Sequence, residues 1–393
     1  MTTTVPLKYR SPEGRTRLAI IRNFTPNWFA ATMGTGILAL DLNQLPFAGH
    51  SLHLAAQALW IANIVLFGLF SVLYAARWLI FPQEAARIFA HSAMSMFLGT
   101  IPMGLATIVN GFVAFGAPLW GHAAIEIATL LWWIDVGLSL MIGLGVPFLM
   151  IIRQDHAIER MTAIWLLPVV AAEVAAVSGA GLIPHIANPQ TALAIDVICY
   201  ALWAYSVPLA LGLIVILLLR LIVHKLPHHD MAPSSWLALG PIGTGALGLL
   251  LLGADAPLVF GDTGSAAIVA GIQAIGLVGG MVLWGYGVWW FGFAVLATIR
   301  YLRDGINFNL GWWGFTFPLG VYTSATFALA HQTHLAMFEL LAFGFTALLA
   351  VLWIIVAVRT IAGALSGTAF VSPCRTIGSI PDDLIAARPT QLA

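Results

Sequence analysis

Apolar residues fill this chain in long, nearly unbroken blocks separated by short polar interruptions. Neither the period of two of a strand nor the one-sided stripe of a soluble helix dominates. A bilayer core of about 30 Å is crossed by roughly 20 apolar residues in a helix. Ten blocks reach or approach that length, and we read them as spans over 25–41, 54–79, 92–115, 121–151, 163–184, 190–219, 235–254, 265–300, 311–331 and 335–363. The pattern predicts an all-α membrane protein of ten transmembrane helices, with an amino-terminal segment 1–24, a ten-helix domain 25–363 and a tail 364–393. The first block has no small-residue cleavage site behind it, so it is expected to be retained as a span and not removed as a signal peptide.

The positions of Lys and Arg give these spans an orientation. Lys8, Arg10, Arg15, Arg17 and Arg22 precede the first span. The others lie in or beside alternate connections (Arg77 and Arg87, Arg153 and Arg160, Arg220 and Lys225, Arg300 and Arg303) or at the carboxyl end, at Arg359, Arg375 and Arg388. The remaining five connections carry none. Because cytoplasmic loops hold the excess of Lys and Arg, both termini are expected in the cytoplasm of a protein of the cell inner membrane, and the span number is expected to be even. On this reading the basic residues set topology and do not bind substrate.

Composition narrows the partners. Hydrophobic residues make up 60% of the chain and charged ones 8%, against roughly 25% charged in a soluble domain, so lipid must cover most of the surface. The formal net charge is zero and no basic block is present, which excludes nucleic acid as a partner. Cys199 and Cys374 are expected to be free thiols, since two cysteines make neither a disulfide framework nor a spaced zinc site.

A repeat runs through the odd-numbered spans. Pro26, Pro102, Pro168, Pro241 and Pro318 are separated by 76, 66, 73 and 77 residues, about one helical hairpin each. Three of them open a Pro-x-Gly step: Pro102-Met103-Gly104, Pro241-Ile242-Gly243 and Pro318-Leu319-Gly320. Each unit begins and ends on the same side, so the copies are parallel repeats related by rotation about the membrane normal. Five such hairpins predict a pseudo-fivefold ring around a central pore. The proline-interrupted odd spans, rich in Gly, Ala, Ser and Thr, suit the inside, and the long apolar even spans suit the lipid face.

Three segments resemble one family: Asn23-Phe-Thr-Pro-Asn-Trp-Phe29 running into Met33-Gly-Thr-Gly36, His91-Ser-Ala-Met-Ser-Met-Phe-Leu-Gly-Thr-Ile-Pro-Met-Gly104, and Trp312-Trp-Gly-Phe-Thr-Phe-Pro-Leu-Gly-Val-Tyr322. They are similar to the tellurite-resistance/dicarboxylate transporter family, which includes fungal malate permeases, sulfite efflux pumps and plant slow anion channels. The resemblance covers all ten spans and implies a central-pore bundle that carries small anions, often as a homotrimer. Met33 to Gly36 looks closer to the malate and sulfite branch. Ala30 stands after Phe29, where the channel branch has glycine, which weakens the case for channel-like gating. The resemblance thus implies C4-dicarboxylates such as malate first, then sulfite or tellurite-type oxyanion efflux, then a passive inorganic anion channel. It also matches Phe317 to the aromatic that plugs the pore.

No Lys or Arg interrupts the inner spans, so an anion there must be held by backbone dipoles, hydroxyls and helix ends. The pore-lining candidates are Ala30, Thr32, Gly104, Thr107, Gly243, Thr244, Gly320, Thr323 and Ser324, with Thr35, Asn110 and Thr326 as further polar groups. Back-bonding of each hydroxyl to its own helix is the competing reading. Gly320 and Ser324 share the helical face of Phe317 and would leave its ring room to swing, whereas Phe315 is expected to pack outward. Glu126, Asp135, Glu173, Asp196 and Glu339 are counted within spans, Glu173 alone on an inner one. Glu173 is therefore the candidate for coupling to protons, or else a buried hydrogen-bonded carboxyl. Glu126 and Glu339 are expected to be hydrated, and Asp135 and Asp196 to bond between helices.

Other motifs are discounted. Gly243-x-Gly245-x-x-Gly248 has no preceding strand and lies inside a span, and Asn23-Phe-Thr25 is a sequon on the cytoplasmic side. His224, His228, His229, His331 and His334 have no clear partners for a metal, so no metal or cofactor is expected. An enzyme would need a nucleophile and base in one cavity and a sensor a soluble output module. Neither feature is found, and the chain is read as no enzyme.

Overall fold

The computed structural model describes residues 17–46, 49–261 and 265–372. Lys8, Arg10, Arg15, Cys374, Arg375 and Arg388 lie outside the described residues. Among the described residues all regular structure is helical, and no strand is present. We number ten main helices: α1 Ala30–Asn43, α2 His50–Ile80, α3 Thr100–Gly111, α4 His122–Ile152, α5 Leu167–Leu182, α6 Pro189–His224, α7 Leu239–Phe260, α8 Ala266–Asp304, α9 Phe317–Thr333 and α10 Ala336–Ser366.

Each odd helix is entered through a 3₁₀ turn: Pro26–Phe29, Met94–Gly99, Ala163–Leu166, His229–Trp236 and Leu310–Phe315. Pro102, Pro168, Pro241 and Pro318 occupy the first turn of the α-helix that follows, and Pro26 opens its 3₁₀ turn. Here the structure corrects the expectation that these prolines interrupt helices. A first-turn N–H has no partner within the helix, so proline is accommodated there without a lost bond. The prolines mark the junction between 3₁₀ turn and α-helix.

Burial separates two rings. Of the most apolar stretch of Ala163–His185, 94% is buried, against 11% for that of Ala266–Asp304. Even helices are 31 to 39 residues long and leave side chains such as Leu79, Ile151, Leu219 and Leu296 exposed. In a bilayer those faces meet acyl chains. The odd helices close a ring: α1 packs on α3, α3 on α5, α5 on α7, α7 on α9, and α9 returns to α1. Each odd helix also packs on the even helix that follows it, which gives the five hairpins. Close approach depends on glycine. A Cβ on Gly243 would stand 2.8 Å from the Tyr322 backbone, and one on Gly320 2.5 Å from Ile37.

Eight described helical stretches are long and apolar enough to cross a membrane, which makes this an all-α membrane protein. The two inner stretches 26–43 and 310–333 are not among them. The ten-span count therefore remains an expectation.

Hydrogen bonds gather the basic connections at one end, the basic end. Buried Arg77 donates to the Phe24 carbonyl at 2.5 Å and to Ser372 Oγ at 3.3 Å. Gln154 reaches the Phe89 carbonyl at 3.0 Å, Arg220 the Glu159 carbonyl at 2.5 Å, and Tyr301 the Pro227 carbonyl at 2.9 Å. Arg22 pairs with Glu84. These residues do more than set topology, since Arg77 ties α2 to the segments before α1 and after α10, and Arg220 ties α6 to the connections that flank its own hairpin.

At the same end His91 Nδ1 accepts the backbone N–H of Ala93 at 3.1 Å and of Met94 at 3.2 Å, capping the 3₁₀ turn that leads into α3. That geometry needs an unprotonated Nδ1. Burial lowers the His91 pKa below its ordinary 6.5. A depressed folded-state pKa gives stability that is present above 6.5 and lost as pH falls through the folded value. The thermal midpoint in detergent should therefore drop on acidification, and His91→Asn should shrink the drop, by at most about 1 kcal/mol, the usual worth of a helix cap.

Candidate functional site

Two cavities lie one above the other along the ring axis, each lined by residues from all five odd repeat units. The basic-end cavity holds about 600 Å³ and is bounded by Ala30, Thr100, Leu167, Leu237 and Pro318 among others. Five helix amino ends surround it, and their partial positive charge favours an anion. The far-end cavity holds about 440 Å³ and is lined by a helical stripe from each odd helix. On α7 the stripe is Thr244, Leu247, Leu251 and Ala254, and on α9 it is Val321, Ser324, Ala328 and His331. These are the third, sixth, tenth and thirteenth residues after the repeat proline in both helices. In these two repeats the lining positions coincide, whereas in the other three the set of offsets from the proline differs.

Phe317 forms part of the far-end cavity while its neighbour Pro318 lines the basic-end one. With 3% of its surface exposed, the ring stands at the partition between the two. Phe315 lines neither cavity. It packs on Trp236 and Trp312, with ring centroids 5.9 Å away in both cases, so it is turned from the axis but buried between repeats and not on the outside.

The other sequence candidates divide into two groups. Thr107, Thr244 and Ser324 line the far-end cavity and Ala30 the basic-end one. Thr32, Gly104, Gly243, Gly320 and Thr323 line neither and serve helix contacts: a side chain on Gly104 would strike Thr32, and Gly243 and Gly320 admit α9 and α1. Gly320 does not leave the Phe317 ring space, because Ile37 fills it.

Most hydroxyl protons are already committed. Thr32 donates to the Phe29 carbonyl, Thr107 to Gly104, Thr244 to Gly240, Thr323 to Leu319 and Thr326 to Tyr322, all at 2.7 to 2.8 Å. Back-bonding is the observed state of these threonines, and Thr35 Oγ1 accepts from Trp353 at 3.0 Å. Ser324 differs: its hydroxyl donates across the ring to Asp41 Oδ1 at 2.6 Å. The Asn110 amide lines the far-end cavity with no protein partner among the described residues. No Lys or Arg lines either cavity there, and the acidic Asp230 sits at the basic-end one.

Glu173 is fully buried and stands beside Ser206 of α6, but that hydroxyl donates to the Val169 carbonyl at 2.8 Å. Neither Glu173 oxygen has a protein hydrogen bond, and the residue lines neither cavity. Its side chain is turned to the outer helix. Nor is it alone on the inner ring, since Asp41 of α1 and Asp255 of α7 are buried there too. Asp135 and Asp196 are buried without the expected interhelical bonds, whereas Glu126 and Glu339 are exposed as expected. Asp41 was overlooked because it ends the first apolar block, where a carboxylate reads as hydrated. Its place one turn after Ile37 was the available signal.

A closed ring of inner helices around two axial cavities, with a lipid-facing outer layer and no Lys or Arg among the described lining residues, defines a membrane protein with a central lumen. The family profile described as voltage-dependent anion channel matches residues 23–361, so the chain belongs to that family, the one that the three sequence segments resembled. A sulfite efflux pump of Trichophyton rubrum is 40% identical over 343 residues, covering 87% of this chain and 91% of that protein. A transporter of Methanocaldococcus jannaschii is 28% identical over 360 residues, covering 90% and 97%. The malic acid transport protein of Schizosaccharomyces pombe is 22% identical over 345 residues, covering 85% and 77%. The family is one of anion transporters and channels and not of enzymes.

Proposed function

We propose that the chain carries a small oxyanion of the sulfite class through the axial lumen, past a gate formed by Phe317. The observation that carries this reading is the pair of axial cavities partitioned at Phe317 and lined, among the described residues, without Lys or Arg. A lumen of dipoles and amides binds weakly enough to release its ion. A C4-dicarboxylate, put first from the sequence, brings two carboxylates that are most often met by Arg or Lys. Similarity supports the same order, with 40% identity to a sulfite pump and 22% to a malic acid transporter. The basic end is the cytoplasmic end in this reading, by the excess of Lys and Arg there.

Proteoliposomes loaded in turn with sulfite, malate, succinate, nitrate and tellurite test it. Sulfite should leave fastest, and Asn110→Leu should lower its rate severalfold without loss of folded protein. Faster malate than sulfite flux would reverse the substrate order. Absence of flux for every anion would remove the reading altogether.

A further inference from the structure

Asp41 and Ser324 make a contact that nothing above employs. Asp41 is fully buried near the far end of α1, and Ser324 is on α9, so the 2.6 Å bond between them spans the junction where the inner ring closes. Asp41 Oδ2 has no protein partner, and Gln44 Nε2 only approaches Oδ1, at 3.5 Å. Ser324 lines the far-end cavity two helical turns beyond Phe317. A serine hydroxyl has one proton to give and two lone pairs to offer. With Asp41 ionised, that proton goes to the carboxylate, and Ser324 turns only lone pairs to the cavity, which repel an anion. With Asp41 protonated, the carboxyl O–H donates to Ser324 Oγ, and the serine proton is released toward the lumen.

We propose that Asp41 and Ser324 form a proton relay at the far-end cavity, which links the binding of one anion there to the uptake of one proton. The proposal rests on the reading of the lumen as an anion path. The balance is simple: one proton from solvent joins Asp41, no covalent bond to the anion forms, and the chain of donors runs Asp41 to Ser324 to anion. By linkage the effect is reciprocal, so a bound anion favours the protonated acid as much as the protonated acid favours the anion. Asp41 does not touch the anion and is a positioning residue.

Other groups near this end are few. On the helices packed against α1, the titratable side chains towards the Asp41 end are His50 and His53 of α2, His331 of α9 and Glu339 of α10, and α3 has none. His53 is bonded to Asn43 Oδ1 at 2.8 Å and Glu339 is exposed, while Tyr322 donates its hydroxyl to the Trp284 carbonyl of α8. His331 lines the same cavity, so His331→Gln belongs in the test.

Sulfite flux from proteoliposomes holding the full chain is measured between about pH 5 and 8, with each variant divided by wild type at the same pH. The ratio cancels the titration of sulfite itself. The amide of Asp41→Asn keeps the shape and donates to Ser324 at every pH. Its ratio should start near one in acid and rise towards alkaline pH, by up to about tenfold per unit, the slope of one linked proton. Ser324→Ala should be slow and should lose the wild-type slope. His331→Gln and Glu173→Gln should keep it. If the Asp41→Asn ratio is flat across pH, if Ser324→Ala keeps the wild-type slope, or if His331→Gln or Glu173→Gln alone abolishes it, the relay is wrong. Wild type that carries neither sulfite, malate nor nitrate at any pH would instead remove the anion path. Should Asp41→Asn fail to fold, the Ser324→Ala slope decides.

Discussion

Phe317→Ala is expected to raise passive anion flux by about tenfold or more and to blunt selection among anions. The ring sits at the partition between two axial cavities, and a phenyl group in a narrow lumen without fixed cations blocks an anion both sterically and by dewetting. Removing about 1.4 kcal/mol of barrier is enough for a tenfold rate. Gly320 gives the ring no free space, since Ile37 fills it, so a gate at Phe317 would need movement of α9 against α1 or a rotation of the ring along the lumen. Phe315→Ala is the contrasting case. Its ring is clasped between Trp236 and Trp312, and truncation of a core phenylalanine costs about 3 to 5 kcal/mol. It should lower the yield of folded protein and leave the flux of what folds unchanged. Flux of folded Phe317→Ala equal to wild type, or a leak confined to Phe315→Ala, would show that the gate is assigned to the wrong ring.

The ring architecture was legible in the sequence because two independent patterns agreed on it. Lys and Arg occupy alternate connections, and a proline recurs at one hairpin's spacing in every odd span. What those prolines do was not legible. A proline in an apolar run reads as a kink, and only the 3₁₀ turns before Thr100, Leu167, Leu239 and Phe317 show that it begins a helix. The lumen-facing side of each inner helix was hidden for another reason. Such a helix touches inner neighbours on two sides and an outer helix behind, so it is apolar or small all round and shows no stripe to fix its phase. Thr107 and Thr323 were indistinguishable in sequence, yet one lines a cavity and the other lies against neighbouring helices. The same loss of phase left Glu173 open between a proton-coupling carboxyl and a buried one, and the structure sets it beside Ser206 of the outer helix. Asp41 was missed at the other extreme. The apolar block ended on it, and a boundary uncertain by a few residues cannot separate a buried carboxylate from a hydrated one.

Two glycine substitutions should separate the ring's packing from its lumen. Gly243 lies where α7 meets α9, and a Cβ there would stand 2.8 Å from both the N and the Cα of Tyr322. Those are backbone atoms of a helix held on both sides, so they cannot swing aside as the end of a side chain would. Overpacking usually costs about 1 to 3 kcal/mol, and Gly243→Val belongs at or above the top of that range because the ring itself must open. Gly181 lines the far-end cavity instead, with open space within 4 Å of its would-be Cβ. Gly181 is the penultimate residue of α5 with no left-handed backbone, so leucine adds neither clash nor strain there and Gly181→Leu should fold as well as wild type. Its side chain then projects into the lumen beside the α7 stripe and across from that of α9. Size-exclusion profiles and thermal midpoints should show Gly243→Val aggregated or strongly destabilised and Gly181→Leu intact. Sulfite flux through intact Gly181→Leu should fall severalfold or more, and bulkier malate should be hindered more than sulfite. Wild-type flux in folded Gly181→Leu would mean that anions pass elsewhere than through this cavity, and a stable Gly243→Val would mean that α7 and α9 do not close as tightly as described.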